Sequence, residues 1–84
     1  MNTLTWTNKA RKQLLKIQRQ DAARIYAQVG ALADFPHCDE VKRLTNHRYD
    51  YRLRVGRYRV FFNHDGAVRI ISIEEVKKRD ERTY

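Results

Sequence analysis

The apolar residues at the start of the chain follow first a strand pattern and then a helical one. Residues 3–6, Thr-Leu-Thr-Trp, alternate polar and apolar side chains and predict a short half-buried strand. Thr7 offers a capping hydroxyl to a helix of about twelve residues, which is close to the mean helix length. Ala10, Leu14 and Ile17 share one stripe of this helix, so we expect that stripe to face the core.

A second helix is predicted from Asp21 onward. Its apolar stripe consists of residues spaced by three or four positions, namely Ala22, Ile25, Val29 and Leu32. The helix must end before Pro36, because the residue that precedes a proline avoids helical angles. Two consecutive amphipathic helices with a short break between them predict a hairpin that packs on an apolar surface.

The second half of the chain supplies that surface as three runs of alternating residues, 48–55, 58–62 and 68–74. They are separated by Gly56-Arg57 and Asp65-Gly66, and both dipeptides suit two-residue hairpin turns. The resulting order is β-α-α-β-β-β. It predicts an α+β fold in which a two-helix hairpin packs on one face of a small, mainly antiparallel sheet. The chain is short enough that we expect a single domain over residues 1–84.

The Gly56-Arg57 turn determines which residues of the first hairpin face each other. A two-residue loop pairs Arg54 with Arg59 and Arg52 with Phe61, and directly opposed residues share a face. The apolar residues then cover the helix side, namely Tyr51, Leu53, Val55, Tyr58, Val60 and Phe62. The opposite face carries three arginines, Arg52, Arg54 and Arg59, beside an exposed Phe61.

The Asp65-Gly66 turn predicts the position of the last strand. A two-residue loop there pairs Phe61 with Ile70 and Arg59 with Ser72, and the strand ends near Glu74. The tail is then expected to fold back over Arg54 and Arg59, and the residues that we expect there are Lys78, Arg79, Arg82 and Tyr84.

The Arg54–Arg59 pair is unfavourable for folding by itself. Like charges directly opposed on neighbouring strands cost roughly 0.2–1 kcal/mol. The two side chains either extend apart into water or together receive a phosphate. We favour the second interpretation, because the basic tail is expected at the same place.

Charge is the strongest signal in the composition. A total of 18 Lys and Arg against 10 Asp and Glu gives a net charge of +8 on 84 residues, which predicts a polyanionic partner. A lone Cys38, no long apolar stretch and a polar N-terminus predict a cytoplasmic protein that does not span a membrane. Neither the adjacent His37 and Cys38 nor the isolated His47 and His64 form a zinc pattern, so no metal or cofactor is expected.

Three segments carry a resemblance to a known family. They are Tyr-Arg-Leu-Arg-Val-Gly-Arg-Tyr-Arg-Val-Phe-Phe at 51–62, Ile-Ile-Ser-Ile at 70–73 and Lys-Lys-Arg-Asp-Glu-Arg-Thr-Tyr at 77–84. This pattern resembles the RelE/ParE superfamily of type II toxins, with the RelE-like branch favoured. The resemblance implies a toxin that enters the ribosomal A site and cleaves messenger RNA by metal-independent attack of a 2′-hydroxyl. It also implies a cognate antitoxin as partner, beside the mRNA and the ribosome.

The resemblance assigns roles to individual residues. The catalytic set that it implies consists of Arg52, Arg54, Arg59, Lys78, Arg79 and Tyr84. Further RNA contacts are expected from Phe61, Lys77 and Arg82. Asp50 stands where RelE has another lysine, so Asp50 and His47 are alternative candidates for the general base.

Two other functions remain open at this point. ParE-like members share the fold but poison DNA gyrase without nuclease activity. The chain could also be a non-catalytic RNA-binding module that uses Phe61 as a stacking platform.

Overall fold

The computed structural model describes residues 1–79 as two helices packed on a five-stranded mixed sheet. The elements are β1 (Thr3–Trp6), α1 (Asn8–Leu15), α2 (Arg19–Gly30), a 3-10 helix (Ala31–Asp34), β2 (Val41–Arg43), β3 (Tyr51–Val55), β4 (Tyr58–Asp65) and β5 (Ile70–Lys78). The strands lie in the order β1-β5-β4-β3-β2, with β1 parallel to β5 and the other pairs antiparallel. The predicted α+β class and the order of the main elements are confirmed. Among residues 1–79, neither helix is long and apolar enough to cross a lipid bilayer.

Both helices form where the apolar periodicity predicts them. Thr7 caps α1, since its Oγ1 accepts a hydrogen bond from the Ala10 N–H at 3.1 Å. The helix ends at Leu15 and is shorter than expected, and α2 begins at Arg19, two residues before Asp21.

The core lies between the helices and one face of the sheet. The buried residues that form it are Ala10, Ile25, Val29, Leu32, Leu53, Val55, Val60, Phe62, Ile71, Ile73 and Val76. Three of the four residues in the predicted stripe of the second helix, Ile25, Val29 and Leu32, are buried there. Tyr51 and Tyr58 pack against this cluster, so the predicted helix side of the first hairpin is confirmed.

The register of the first hairpin is also confirmed. Val55 pairs with Tyr58, Arg54 with Arg59, and Arg52 with Phe61. Gly56 has a φ of 56°, a left-handed conformation that glycine adopts without steric cost. The two-residue turn is therefore stable, and it leaves no freedom in the pairing of β3 with β4.

The predicted register of the second hairpin is wrong. The loop has four residues, Gly66 to Arg69, so Asp65 pairs with Ile70 and Asn63 with Ser72. The Ala67 N–H donates a hydrogen bond to Asp65 Oδ1 at 3.0 Å, which stabilises the longer loop. Arg69, at the end of the loop, has a φ of 56°.

The last strand is consequently longer than predicted and continues past Glu74 to Lys78. An irregularity in its pairing lies at Glu74, because Phe61 pairs with Glu75 while Phe62 pairs with Ile73. The extra residue allows Ile73 and Val76 to face the same core despite their odd spacing. Beyond the end of β1, α1 covers the strand edge, where Gln13 Oε1 accepts the Val76 N–H at 2.7 Å.

Candidate nucleic-acid interface

The sheet face opposite the helices carries a concentration of basic side chains. One row across the strands consists of Arg54, Arg59 and Lys77, which pair in register across β3, β4 and β5. The next row consists of Lys42, Arg52, Phe61 and Glu75. Residues that pair in register share a face. We call the five basic residues of these two rows, Lys42, Arg52, Arg54, Arg59 and Lys77, the cationic face.

A cleft of about 230 Å³ opens at the turn end of the cationic face. Its lining consists of Arg52, Arg54, Gly56, Arg57, Tyr58, Arg59 and Arg79. Among residues 1–79, five arginines and no carboxylate line it, and we call it the arginine cleft. The Arg79 N–H donates to the Arg57 carbonyl at 2.7 Å, which holds the end of β5 beside the turn. A small anion with several oxygens fits this lining, because guanidinium groups bind such oxygens in pairs.

The arginines of this site differ in their surroundings. Arg54 Nε lies 3.7 Å from Glu40 Oε2, but both side chains are more than half exposed, so the pair adds little stability. Arg52 Nε is buried and has no hydrogen-bond partner. Within residues 1–79 no other buried side-chain nitrogen or oxygen is in this state. A buried donor without an acceptor costs free energy, so the position of Arg52 beside the cleft is unfavourable for folding by itself.

The prediction that Phe61 is an exposed stacking platform is wrong, because this side chain is only 7% exposed. The loop 44–50 folds over it, and the rings of His47 and Tyr49 lie 5.1 Å and 5.6 Å from its centroid. The Leu44 N–H closes this loop by donating to the Asp50 carbonyl at 2.8 Å. The aromatic surface that solvent meets here is the exposed His47 rather than Phe61.

His47 is thereby placed on the same face as the arginines. Its ring is nearly parallel to that of Phe61, at 19°. Its Nδ1 accepts the Tyr49 N–H at 3.0 Å, so the neutral ring holds its proton on Nε2. Phe61 follows Arg59 by two strand positions, or about 7 Å along β4. The imidazole therefore lies one row away from the Arg54–Arg59 pair.

Asp50 lies farther from the arginine cleft. Its N–H donates to Asn63 Oδ1 at 2.9 Å, and Asn63 pairs with Ser72 in a third row, beyond Phe61. Within residues 1–79 its exposed carboxylate forms no ion pair with Arg52. The predicted pairing of Ser72 with Arg59 is also wrong, since Ser72 pairs with Asn63 and Arg59 pairs with Lys77.

Glu75, which pairs with Phe61 on the neighbouring strand, anchors the loop 44–50. Its Oε1 accepts hydrogen bonds from Tyr49 Oη at 2.9 Å and from Lys9 Nζ at 3.0 Å. Burial acts to raise the pKa of Glu75, but the hydrogen bonds from Lys9 and Tyr49, with the charges of Lys9 and Lys77, outweigh it. The pKa therefore lies below the ordinary value of 4.5. The carboxylate stays charged and connects α1, β5 and the loop.

The basic tail is only partly where the sequence predicted it. Lys77 lies on the cationic face opposite Arg59, and Arg79 lines the arginine cleft. Lys78 pairs with Tyr58, which packs against the core, so Lys78 lies on the helix side rather than over the arginines. The predicted Arg82 and Tyr84 positions fall outside the described residues.

Two basic residues of this surface were missed by the sequence reasoning. Lys42 belongs to β2, a three-residue strand too short to be predicted, and Arg57 was treated only as a turn residue. The alternation of Val41 and Lys42 was the available signal for the strand. Among residues 1–79 no group of three or more His, Cys, Asp or Glu side chains is arranged to hold a metal ion.

The fold is similar to solved structures of RelE toxins. The toxin–antitoxin complex RelBE2 from Mycobacterium tuberculosis aligns with a TM-score of 0.79 and 25% identity, over 93% of this chain and 98% of that one. The archaeal RelE–RelB complex from Pyrococcus horikoshii aligns with a TM-score of 0.80 and 24% identity, over 95% of this chain and 97% of that one. The isolated E. coli RelE toxin aligns with a TM-score of 0.81 and 13% identity, over 96% of this chain and 87% of that one. The likeness to the last two, at these identities, establishes the fold alone.

The family of this chain is identified from its sequence. A search of curated proteins gave no match. However, the family model described as the ParE toxin of the type II toxin–antitoxin system parDE matches residues 4–83, which is nearly the whole chain. The chain therefore belongs to the ParE toxin family, within the RelE/ParE superfamily of type II toxins.

Proposed function

We propose that this toxin is a ribosome-dependent endoribonuclease, which inhibits translation by cutting messenger RNA in the ribosomal A site. The observation that carries the proposal is the arginine cleft, where five guanidinium groups and no carboxylate from residues 1–79 surround a space of about 230 Å³. Such a lining suits the phosphate at which a strand is cut.

The proposed reaction needs no external nucleophile. The 2′-oxygen of the RNA attacks the adjacent phosphorus, the bond from phosphorus to the 5′-oxygen breaks, and a 2′,3′-cyclic phosphate and a 5′-hydroxyl result. Arg54, Arg59 and Arg79 are the residues we expect to hold the nonbridging oxygens, whose negative charge increases in the transition state. Arginine remains charged throughout, so it stabilises the anion but does not accept the proton.

The proton must move from the 2′-hydroxyl to the departing 5′-oxygen. His47 suits this role, because its exposed ring lies on the outer sheet face. In the free protein Nδ1 accepts the Tyr49 N–H and Nε2 carries the proton, so the base is the other tautomer, with Nδ1 protonated and the Tyr49 bond released. Its Nε2 then accepts the 2′-hydroxyl proton and passes it to the 5′-oxygen. Asp50 is the second candidate, but its position beyond Phe61 makes it the weaker one.

Arg52 and Lys77 are proposed to bind the RNA next to the cut. Arg52 lines the arginine cleft, and Lys77 extends the row of Arg54 and Arg59. The roles of Arg82 and Tyr84 remain predictions from the resemblance. Lys78 is left out of the catalytic set, because its partner Tyr58 packs against the opposite side of the sheet.

A cognate antitoxin is the proposed protein partner. Several structures similar to this chain are toxin–antitoxin complexes, including RelBE2 of M. tuberculosis and the intact E. coli RelBE. The net charge of +8 favours an acidic partner.

Inhibition of DNA gyrase is a second candidate function, which the match to the ParE family model favours. A gyrase inhibitor needs no phosphate-binding centre, so the arginine cleft would then be incidental. The third possibility, an RNA-binding module with an exposed Phe61, has lost its main feature because that ring is buried.

An in vitro translation assay tests the proposal, with mRNA ends mapped by primer extension. The wild-type protein is expected to cut mRNA, and Arg59→Ala is expected to lose cleavage while its thermal unfolding stays cooperative. Arg43→Ala is the matched control, because Arg43 is exposed on the same sheet but pairs with Tyr51, on the helix side. A parallel supercoiling assay tests the alternative. Inhibited gyrase with intact mRNA would overturn the ribonuclease proposal.

A further inference from the structure

A second cleft opens on the other side of the β3–β4 turn. It has a volume of about 250 Å³ and is lined by Asp21, Arg24, Ile25, Val55, Gly56, Arg57 and Tyr58. The turn residues Gly56, Arg57 and Tyr58 also line the arginine cleft. The two clefts are therefore separated only by the turn, and we call the second one the turn cleft.

Arg24 reaches the turn from α2. A Cβ atom on Gly56 would lie 3.5 Å from Arg24 Nη1, so the guanidinium group rests beside the turn backbone. This distance is an ordinary van der Waals contact, so it is the positive φ, and not the approach of Arg24, that favours glycine at position 56. A basic residue of the helix layer is thus brought to the edge of the cationic face.

The two clefts that adjoin the arginine cleft contain equal numbers of charged groups but differ in their ion pairs. The turn cleft contains two guanidinium groups, Arg24 and Arg57, and a single carboxylate, the half-buried Asp21. A further cleft on the β2 side contains Arg24 and Arg54 but also Glu40, which already pairs with Arg54. Within residues 1–79, neither Arg24 nor Arg57 forms an ion pair. The turn cleft also shares three lining residues with the arginine cleft, against two for the cleft on the β2 side. The continuation of the arginine cleft therefore passes over Arg57 to Arg24.

We propose that the turn cleft binds a further phosphate of the RNA that occupies the arginine cleft. The strand would leave the cutting position, cross the Gly56-Arg57 turn and contact Arg24. This inference rests on the proposed function for the identity of the polyanion. It adds an RNA-contacting residue, Arg24, that lies on α2, outside the sheet and outside residues 51–62, 70–73 and 77–84, whose motifs carry the resemblance.

The test measures the salt dependence of binding to a single-stranded 2′-O-methyl RNA, which cannot undergo cleavage by its 2′-oxygen. Each phosphate contact contributes about 0.7 to the slope of log K against log salt concentration. Arg24→Ala is expected to reduce the slope by about 0.7, and Arg24→Lys is expected to restore most of it. Arg19→Ala is the matched control, since Arg19 is exposed on the same helix but lines neither cleft.

The outcomes separate this inference from the proposed function. If wild-type protein cuts mRNA but Arg24→Ala and Arg19→Ala have the same slope as wild type, the turn cleft does not bind RNA. If mRNA stays intact but Arg24→Ala still lowers the slope, the RNA path survives without the nuclease. Absence of RNA binding by the wild-type protein would overturn the inference. The inference would also be overturned if Arg24→Ala lost affinity for polyglutamate but kept the wild-type slope with RNA, since the turn cleft would then bind an acidic peptide.

Discussion

Arg54 lies directly opposite Arg59 across strands β3 and β4, and Lys77 follows on the next strand in the same row. Three adjacent cations in one row are unfavourable for the free protein, since opposed like charges repel. A bound phosphate would remove the repulsion. This relationship makes stability and activity separable by mutation.

Replacement of Arg54 by alanine is expected to affect activity far more than stability. The change relieves a repulsion of roughly 0.2–1 kcal/mol and removes an exposed Glu40 pair of about 0–1 kcal/mol. The free energy of unfolding should thus change by less than about 1 kcal/mol in urea titration. Loss of one transition-state donor should lower the single-turnover rate of mRNA cleavage by about 10²–10³. Cleavage at the wild-type rate would remove Arg54 from the site.

Replacement of His47 by phenylalanine tests the proton-transfer role without loss of the ring. Phenylalanine can keep the stacking on Phe61 but cannot accept the Tyr49 N–H, so the free energy of unfolding should fall by only about 1 kcal/mol. The cleavage rate should fall by about 10²–10⁴, because no group remains to exchange the proton. Asp50→Asn serves as the comparison and should retain most of the activity. The reverse ranking of the two variants would assign the general base to Asp50.

The Glu75 network predicts a stability that depends on acid pH. Its pKa is below 4.5 in the folded protein, so Glu75 contributes stability that is fully present above 4.5. That contribution is lost as the pH falls through the folded pKa. Thermal unfolding of wild type and Glu75→Gln from pH 7 to pH 3 should show the difference in stability shrinking below about pH 4.5. A constant difference across this range would contradict the charged network with Lys9 and Tyr49.

Thr7 is predicted to stabilise the junction of β1 and α1. Its Oγ1 accepts the Ala10 N–H at 3.1 Å and donates to the Glu74 carbonyl at 3.2 Å. Thr7→Ala removes both bonds and should lower the free energy of unfolding by about 0.5–2 kcal/mol. Thr7→Ser keeps the hydroxyl and should retain most of that stability. Equal losses in both variants would show that the methyl group, rather than the cap, matters.

Several features could be derived from the chain because they depend on neighbours in sequence. The helical stripe of Ile25, Val29 and Leu32 and the cap at Thr7 are local patterns. The Arg54–Arg59 pairing follows from a turn of two residues, which permits one register only. The cationic face was therefore predictable in its essential part.

Other features depended on the balance of competing local structures and on contacts between distant residues. Asp65-Gly66 suits a two-residue turn, but a four-residue loop with the irregularity at Glu74 brings Ile71, Ile73 and Val76 to the core. The burial of that apolar surface is worth more than the preference of one dipeptide.

The sequence by itself determined the fold class, the charge and the row of arginines, since these follow from periodicity and one short turn. Only the tertiary structure decided that Phe61 is covered by His47, that Arg79 rather than Lys78 joins the cleft, and that Arg24 lies beside Gly56. Each of these contacts joins segments distant in sequence. Their geometry is set by how the whole core packs, and no local pattern encodes it.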